Sequence, residues 1–352
     1  MARDDDRWML YGATGYTGQL VAEQAVERGH RPLLAGRNEE VLRKLGRRLN
    51  LKYVAFDLSD LKKISQHSAN VELVYHAAGP FTHTSDPMIR ACLATHTHYV
   101  DITGEIGVFE NTFGYDDVAR KNGVALISGV GFDVIPSDCL AAYVAQQVPN
   151  AQTLEIGVQA LSSMSAGTAK SALEMLQHGA SIRRNGQLTS QALGSGARNI
   201  TFSNGTKRTM PVPWGDISTA YRTTHIPNIT TYMPFPPAMI QLARLTGGIG
   251  QMALSSPSVR GLLGSIFTRT MTGPNAATRE FGKSYLWAQA SNNVGQSAEA
   301  WLETADGYQF TALAAIPVIE KVLELRPSGA LTPAQAFGAD FVLEIPGTFR
   351  SS

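Results

Sequence analysis

Apolar blocks alternate with amphipathic stretches along the first 130 residues of the chain. Short apolar runs, among them "RWMLYGA", "RPLLAGR" and "VELVYHAAGP", are each followed by residues whose apolar positions recur at helical spacing. About six such repeats occur, and apolar strands between amphipathic helices are typical of a parallel sheet covered on both faces. We therefore predict an α/β fold with an N-terminal Rossmann-type doubly wound parallel sheet over residues 1–131. Such sheets bind ligands at the carboxyl ends of their strands.

After Phe132 the helices and strands no longer alternate simply. The predicted elements are a strand at 152–161, a helix at 167–180, short strands between 198 and 232 that include "ISTAYRTTHI", and a hairpin made of "SYLWAQASN" and "SAEAWLETADG". Asn204-Gly205 is a further hairpin-turn signal. We predict a second, α+β domain over residues 132–307 with a mixed or antiparallel sheet.

Residues 308–352 form a third part of the pattern. Residues 308–325 predict a helix, in which Pro317 indicates a kink or a late start. The following "PAQAFGADFVLEI" predicts a short turn and a final strand.

Composition and charge exclude several classes of partner. Thirty basic residues balance twenty-nine acidic ones, so no net field favours nucleic acid or an anionic membrane. The two cysteines, Cys92 and Cys139, form no disulfide framework, which suits a reducing compartment, and we expect a cytoplasmic protein. The opening "MARDDDRWML" is not a signal peptide, and no run of 18 or more uncharged apolar residues predicts a membrane-spanning helix.

The stretch "YGATGYTGQL" connects the first predicted strand to the first helix, which is the context of a dinucleotide-binding fingerprint. Gly12 permits the tight turn, Gly15 lets backbone N–H groups approach a pyrophosphate, and Gly18 allows close helix–sheet packing. Thr14 and Thr17 can donate hydroxyl hydrogen bonds to phosphate oxygens. No Gly-Lys-Ser/Thr sequence follows, which disfavours a Walker-type site.

The end of the second strand predicts which dinucleotide binds. NAD sites place an acid about twenty residues after the glycines, whereas this strand ends without an acid at Ala35 or Gly36. Arg37 follows with a planar guanidinium suited to a 2′-phosphate, so we predict NADP (NADPH).

The ends of the third and fourth strands complete the predicted cofactor site. Asp57 is a candidate to accept a hydrogen bond from the adenine amino group and a candidate to cap the next helix, and the two roles are compatible. The small residues before Pro80 let the backbone pass the ribose and nicotinamide. The predicted cofactor-binding residues are Gly12, Thr14, Gly15, Tyr16, Thr17, Gly18, Arg37, Asp57, Ala78, Gly79, Pro80 and Phe81.

Several segments occur in one order along the chain: "YGATGYTGQLVAEQAVERG", "LLAGRN", "AAGPF", "ACLATHTHYVDITGE", "GFDVIPSDCLA" and "TPAQAFGADFVLEIPG". Together they resemble the saccharopine dehydrogenase-like oxidoreductases, including the branch of trans-acting enoyl reductases. The resemblance implies that the α+β domain is inserted as a substrate domain, that residues 308–352 return to the Rossmann domain, and that the chemistry is NAD(P)-dependent reduction.

A proton donor for such chemistry belongs near the nicotinamide, past the ends of strands four to six. The candidate catalytic residues are Tyr99, Asp133 and Lys170. Asp133 follows a glycine-containing strand end and is either a cleft residue or a turn residue. Lys170 either faces the cleft or is solvated. We expect no metal, because no H-E-x-x-H motif accompanies the histidines.

Residues 233–267 are apolar, carry few charges and are interrupted by prolines and glycines. They predict packed helices, a lid or wall for a lipid-like or polyketide-like substrate, a peripheral membrane contact, or an interface such as that of a homodimer. The leading hypothesis is an NADP-dependent oxidoreductase that transfers a hydride to a C=C or C=N bond of a small, apolar substrate. The alternative is a nucleotide-sensing regulatory protein that keeps the cofactor fold, binds a partner and turns nothing over.

Overall fold

A computed structural model describes residues 7–160, 180–245 and 281–352, together with Ser256, Ser265 and Arg279. Its strands are β1 (Trp8–Tyr11), β2 (Leu33–Gly36), β3 (Tyr53–Ala55), β4 (Leu73–His76), β5 (His98–Asp101), β6 (Ala125–Ile127), β7 (Thr153–Ala160), β8 (Ala180–Arg184), β9 (Gln187–Gln191), β10 (Arg198–Phe202), β11 (Gly205–Pro211), β12 (Asn228–Pro234), β13 (Lys283–Ser291), β14 (Ser297–Ala305), β15 (Gly329–Leu331) and β16 (Phe349–Ser351). Its α-helices with defined bounds are α1 (Tyr16–Glu27), α2 (Glu39–Leu49), α3 (Leu61–Ser68), α4 (Phe81–Thr95), α5 (Ile106–Phe113), α6 (Asp116–Asn122), α7 (Ile135–Ala145), α8 (Asp216–Thr224), α9 (Gly307–Leu325) and α10 (Pro333–Phe337).

The described chain divides into two compact units. The first comprises the residues up to Thr103, Gly107–Asp133 and Tyr308–Ala336, and the second comprises Gly104–Ile106, Val134–Gly307 and Phe337–Ser352. Each unit is built around its own sheet.

The first unit is the predicted Rossmann-type fold. Among its described residues, seven parallel strands lie in the order β15-β6-β5-β4-β1-β2-β3, so the strand order reverses between β1 and β4. Tyr11 is in register with His76, and His76 with Asp101, which brings these strand ends to one edge. This edge, beside the reversal point, is where a doubly wound sheet binds its ligand.

Local sequence explains the helices around this sheet. In α2 the Asn38 side chain caps the first turn by accepting from the Val41 N–H, as predicted. Glu39 and Glu40 lie in that first turn, and two arginines lie in the last turn, so both charges complement the helix dipole. Asn50 ends the helix in the left-handed conformation.

The second unit contains a mixed sheet in the order β10-β11-β12-β7-β13-β14-β16 among its described residues, with the β8–β9 hairpin beside β12. β7 pairs in parallel with β12 and antiparallel with β13. One face of β7 buries Leu154, Ile156 and Val158, and α7 packs against β7, β13 and β14. The predicted hairpins at Asn204-Gly205 and between β13 and β14 are confirmed.

Two predicted elements differ in the structure. The run "ISTAYRTTHI" lies mostly in helix α8, whose buried apolar residues Ile217 and Ala220 are three apart, at helical rather than strand spacing. The predicted final strand is a 3₁₀ helix over Phe341–Glu344. The last strand is β16 instead, which pairs with β14 in the second unit. The expected return of 308–352 to the first unit therefore does not extend to its last part, Phe337–Ser352.

The predicted helix at 167–180 lies outside the described residues except for Ala180, which begins β8. Most of the apolar segment 233–267 also lies outside them. Its described start forms a helix over residues 237–245, where Ile240 is buried while Met239, Leu242 and Leu245 are exposed. In the described chain, every helix is too short or too polar to cross a membrane.

Candidate functional site

The glycine turn between β1 and α1 has no room for side chains at two positions. Gly12 has φ +89°, and a Cβ built there would lie 2.6 Å from the carbonyl carbon of Ala77. A Cβ on Gly18 would lie 2.2 Å from the Gly12 oxygen. At Gly15 the same Cβ would lie 3.3 Å from that oxygen, which is tight but less severe. The turn is thus drawn close to β4 on one side and to α1 on the other.

Helix α1 begins at this turn in a form that suits an anion. Gly15 is the N-cap residue, no side chain caps the helix, and no acidic residue lies in its first turn. The positive end of the helix dipole is therefore not neutralised by the helix's own side chains. Gly15 is exposed, and the flanking Thr14, Tyr16 and Thr17 are half-buried. These residues fit the pyrophosphate of a dinucleotide.

Arg37 lies directly after β2, and its side chain is exposed. A Cβ at the preceding Gly36 would lie 4.0 Å from the Thr14 hydroxyl oxygen, so Thr14 lies beside the end of β2. The end of β2 therefore presents a hydroxyl and a guanidinium without a carboxylate, as a 2′-phosphate requires.

Asp57 is exposed at the end of β3, and one of its predicted roles is excluded. Asp60 rather than Asp57 caps α3, by accepting from the Lys63 N–H at 3.1 Å. Asp57 instead accepts the Ser59 N–H at 2.9 Å. The Ser59 hydrogen bonds, backbone first, hold the pKa of Asp57 below its usual value, with a smaller effect from Arg37. Asp57 stays an ionised acceptor, which its predicted role toward adenine requires.

The turn after β4 is fixed by a side chain from α4. The Thr84 hydroxyl donates to the Ala78 carbonyl at 2.6 Å and approaches that of Pro80 at 3.2 Å. Ala78 and Pro80 are half-buried and Gly79 is exposed, so this backbone borders the site. Phe81 is buried instead, with its ring centroid 5.5 Å from that of His76. Its ring packs beneath the turn and does not line a surface.

A buried polar network joins the ends of β4, β5 and β6. The Tyr99 hydroxyl lies 3.2 Å from His76 Nδ1 and donates to Asp101 Oδ2 at 2.8 Å. The Ser128 hydroxyl donates to the same oxygen at 2.8 Å. Asp101 Oδ1 accepts two backbone N–H groups, from Thr103 at 2.9 Å and Gly129 at 3.1 Å. The Asp101 carboxylate thereby fixes the loops that leave β5 and β6.

Burial sets the charge states around this edge. It raises the pKa of Asp101 to about 6, although the four hydrogen bonds counteract it. It lowers the pKa of His76 to about 3, so this imidazole is neutral at physiological pH. Burial also raises the pKa of Asp133 to about 7. Asp133 is partly exposed, so it combines a shifted pKa with access to solvent.

The three candidate catalytic residues have different surroundings. Tyr99 is fully buried, and its hydroxyl is engaged by the network. Asp133 has the raised pKa, and Lys170 lies outside the described residues. Across the described part of the chain, no group of three or more His, Cys, Asp or Glu side chains could hold a metal ion.

A family of known proteins matches this chain within the first unit. Residues 8–127 match the family described as "Saccharopine dehydrogenase NADP binding domain". The trans-acting enoyl reductase of Mycobacterium tuberculosis is 36% identical over 140 residues, which cover 37% of this chain and 33% of that protein. That of Mycobacterium leprae is 33% identical over 138 residues, with the same coverage. The match thus spans about a third of the length of these curated relatives.

One solved structure resembles the chain over nearly its whole length. Apo saccharopine dehydrogenase (L-Glu forming) from Saccharomyces cerevisiae superposes with a TM-score of 0.66, covering 98% of this chain and 99% of that one. Sequence identity is 12%, so this likeness concerns the fold. The family match, in contrast, includes the glycine turn, Arg37 and three members of the buried network, His76, Tyr99 and Asp101, and it ends just before Ser128.

Proposed function

Because the chain carries a saccharopine dehydrogenase NADP-binding domain and a saccharopine dehydrogenase-like fold, we propose that it is an NADP-dependent oxidoreductase. In this proposal it transfers a hydride to a C=C or C=N bond of a small, apolar substrate. The observation that carries the proposal is the geometry of the glycine turn. Gly12 and Gly18 have no room for a Cβ, and no side chain caps the helix that follows, so the turn suits a dinucleotide pyrophosphate.

The choice of bond is supported by relatives rather than by geometry. An enoyl reductase acts, by its name, on a C=C bond next to a carbonyl group, and these relatives are 36% and 33% identical to this chain over 140 and 138 residues. The structural neighbour is named as a dehydrogenase of saccharopine. An apolar substrate is supported by the apolar segment 233–267, whose described start exposes Met239, Leu242 and Leu245.

Bound NADPH would supply the hydride, so the protein has to hold the cofactor and manage one proton. Residues of the glycine turn would bind the pyrophosphate, and Arg37 the 2′-phosphate. Asp133 is the candidate proton donor, since a carboxylic acid with a pKa of about 7 is partly protonated at neutral pH. Asp101 is less suited, because donors occupy both of its oxygens and the side chain is fully buried.

The first test of this proposal is a fluorescence titration of the full chain with NADPH and NADH, comparing wild type with Arg37→Ala. We expect the variant to lose about 1.5–3 kcal/mol of NADPH binding, or roughly ten- to 150-fold in Kd, as charge-assisted hydrogen bonds are removed. NADH binding should barely change, because NADH lacks the 2′-phosphate. Equal weakening of both cofactors would show that Arg37 does not recognise that phosphate.

Turnover is then tested by following NADPH absorbance with two probe series, 2-enoyl thioesters of increasing chain length and cyclic imines. Oxidation of NADPH that depends on one series identifies the bond that is reduced. Tight NADPH binding without turnover of either series would instead support the nucleotide-sensing alternative. Failure to bind either reduced nucleotide would refute both.

A further inference from the structure

The first turn of the C-terminal helix α9 lies beside the glycine turn, although the two are almost 300 residues apart in the chain. The rings of Tyr16 and Tyr308 meet edge to face, with centroids 5.0 Å apart and planes at 81°. Tyr16 is the first residue of α1 and follows the N-cap Gly15. Tyr308 therefore contacts the segment whose backbone would hold the pyrophosphate.

One helical turn further on, α9 also contacts the loop that follows β6, at Gly131 and Phe132. Thr311 accepts the Phe132 N–H at 3.0 Å through its hydroxyl oxygen. A Cβ on Gly131 would lie 3.0 Å from the Thr311 methyl carbon, so helix and backbone are in close contact there. Tyr308 and Thr311 are three apart and lie on one helix face. That face thus reaches from the glycine turn to the loop that follows β6.

The α9 face between these two contacts lies on the side of the sheet where the nicotinamide half of the cofactor is expected. In a doubly wound sheet the pyrophosphate lies at the N-terminus of α1, across the reversal between β1 and β4. The adenosine half then lies toward β2 and β3, where Arg37 and Asp57 are found, and the nicotinamide half lies toward β4, β5 and β6. The first turn of α9 is on the nicotinamide side.

We propose that Tyr308 is a cofactor-contacting residue that holds the nicotinamide half of NADP against the glycine turn. Its ring is half-buried and is kept in place by Tyr16 and by the Thr311 contacts of the same helix. The C-terminal segment thereby supplies part of the cofactor site. This inference rests on NADP binding alone and does not depend on the reaction proposed above.

The experiment compares Tyr308→Ala with Arg37→Ala in the full chain, using NADPH, NADH and 2′,5′-ADP as ligands. 2′,5′-ADP carries the 2′-phosphate but lacks the nicotinamide half. We expect Tyr308→Ala to weaken NADPH and NADH alike, by about three- to tenfold, as one aromatic contact is lost. Its affinity for 2′,5′-ADP should stay at the wild-type value. Arg37→Ala should also weaken NADPH, but it should weaken 2′,5′-ADP and leave NADH unchanged, so the two variants differ in which of these two ligands they affect.

A purely structural role of Tyr308 predicts a different result, because a disturbed glycine turn would weaken all three ligands together. That outcome, or wild-type affinity of Tyr308→Ala for NADPH, would overturn the proposal. Tyr308→Phe keeps the ring and should bind NADPH as wild type does. If the alanine variant fails to fold, Tyr308→Leu keeps most of the volume without the ring and should give the same selective loss.

Discussion

Gly36 and Arg37 are neighbours in the chain, yet they would act on the cofactor in different ways. Arg37 would attract the 2′-phosphate with its positive charge at the end of β2, whereas Gly36 would permit that phosphate because it has no carboxylate to repel it. Gly36 is not held in the left-handed region, and a Cβ there would meet only ordinary contacts, at 3.9 Å from Leu42 and 4.0 Å from Thr14. The position is therefore open to substitution, unlike Gly12 and Gly18.

Gly36→Asp should shift the cofactor preference from NADPH toward NADH. The new carboxylate would repel the 2′-phosphate and could accept hydrogen bonds from the ribose hydroxyls of NADH. We expect NADPH affinity to fall by tenfold or more, on the order of 1.4 kcal/mol, while NADH affinity rises. Titration with both reduced nucleotides measures the ratio.

Gly36→Ala is the matched control, since it adds the same Cβ without the charge. It should leave the NADPH to NADH ratio near its wild-type value. If the alanine variant shifts the ratio as far as the aspartate variant does, sterics rather than charge decide the preference, and the assignment of this strand end is wrong.

At the scale of elements, the local pattern predicted the strand–helix repeats of the first unit and the hairpins β10–β11 and β13–β14, but neither helix α8 nor the β8–β9 hairpin. The six strand–helix repeats and both hairpins depend on apolar spacing and turn residues, which a single segment carries. The three-residue strand β15 has no such pattern. Its place depends on partners far away in the chain: the Gly329 N–H donates to Val124, and the Ala330 N–H donates to Asp116.

The buried network at the site also could not be predicted from local sequence. The glycine turn could be read directly because its residues are consecutive, but His76, Asp101 and Ser128 belong to three different strands. Their proximity follows only from strand order and register. One signal was available: each is a polar residue at or just after the end of a strand that is otherwise apolar. Aligning those strand ends would have suggested a cluster.

Asp101→Ala should destabilise the first unit, because it leaves the buried N–H groups of Thr103 and Gly129 without their acceptor. We expect a loss of at least about 2 kcal/mol in the free energy of unfolding, measured by urea denaturation, since each unsatisfied buried group costs about 1–3 kcal/mol. Ser128→Ala removes one donor and leaves Tyr99 on the carboxylate, so it should cost about 1 kcal/mol. Equal losses in the two variants would contradict the central place of Asp101 in the network.

At the scale of the whole molecule, the similarity to known proteins differs between the two units. The first unit has a family match and a site that can be described residue by residue. The second unit has the fold likeness, and parts of it lie outside the described residues. The cofactor could therefore be predicted from the sequence, because its recognition uses a local turn and one strand end. The substrate could not, because its recognition depends on side chains brought together by tertiary structure.

The pH dependence of the intact protein tests the remaining chemical assignment, that of Asp133. Its pKa in the folded protein is raised to about 7 from an ordinary value of 3.8, so folding favours the protonated form. The stability that this proton contributes is present below about pH 4 and is lost as pH rises through 7. Asp133→Asn stays neutral at every pH and should therefore melt higher than wild type at pH 8.5, with a difference that vanishes toward pH 4.

If Asp133 also donates the proton in turnover, kcat of the wild type should fall as pH rises above about 7. The asparagine variant should lose roughly 10²- to 10⁴-fold in kcat, the usual contribution of a general acid, while its Kd for NADPH stays unchanged. Asp133→Glu should keep part of the wild-type kcat, since it restores an acidic proton at a slightly different position. A variant that gains stability at high pH but keeps wild-type kcat would confirm the raised pKa of Asp133 and remove this residue from the mechanism.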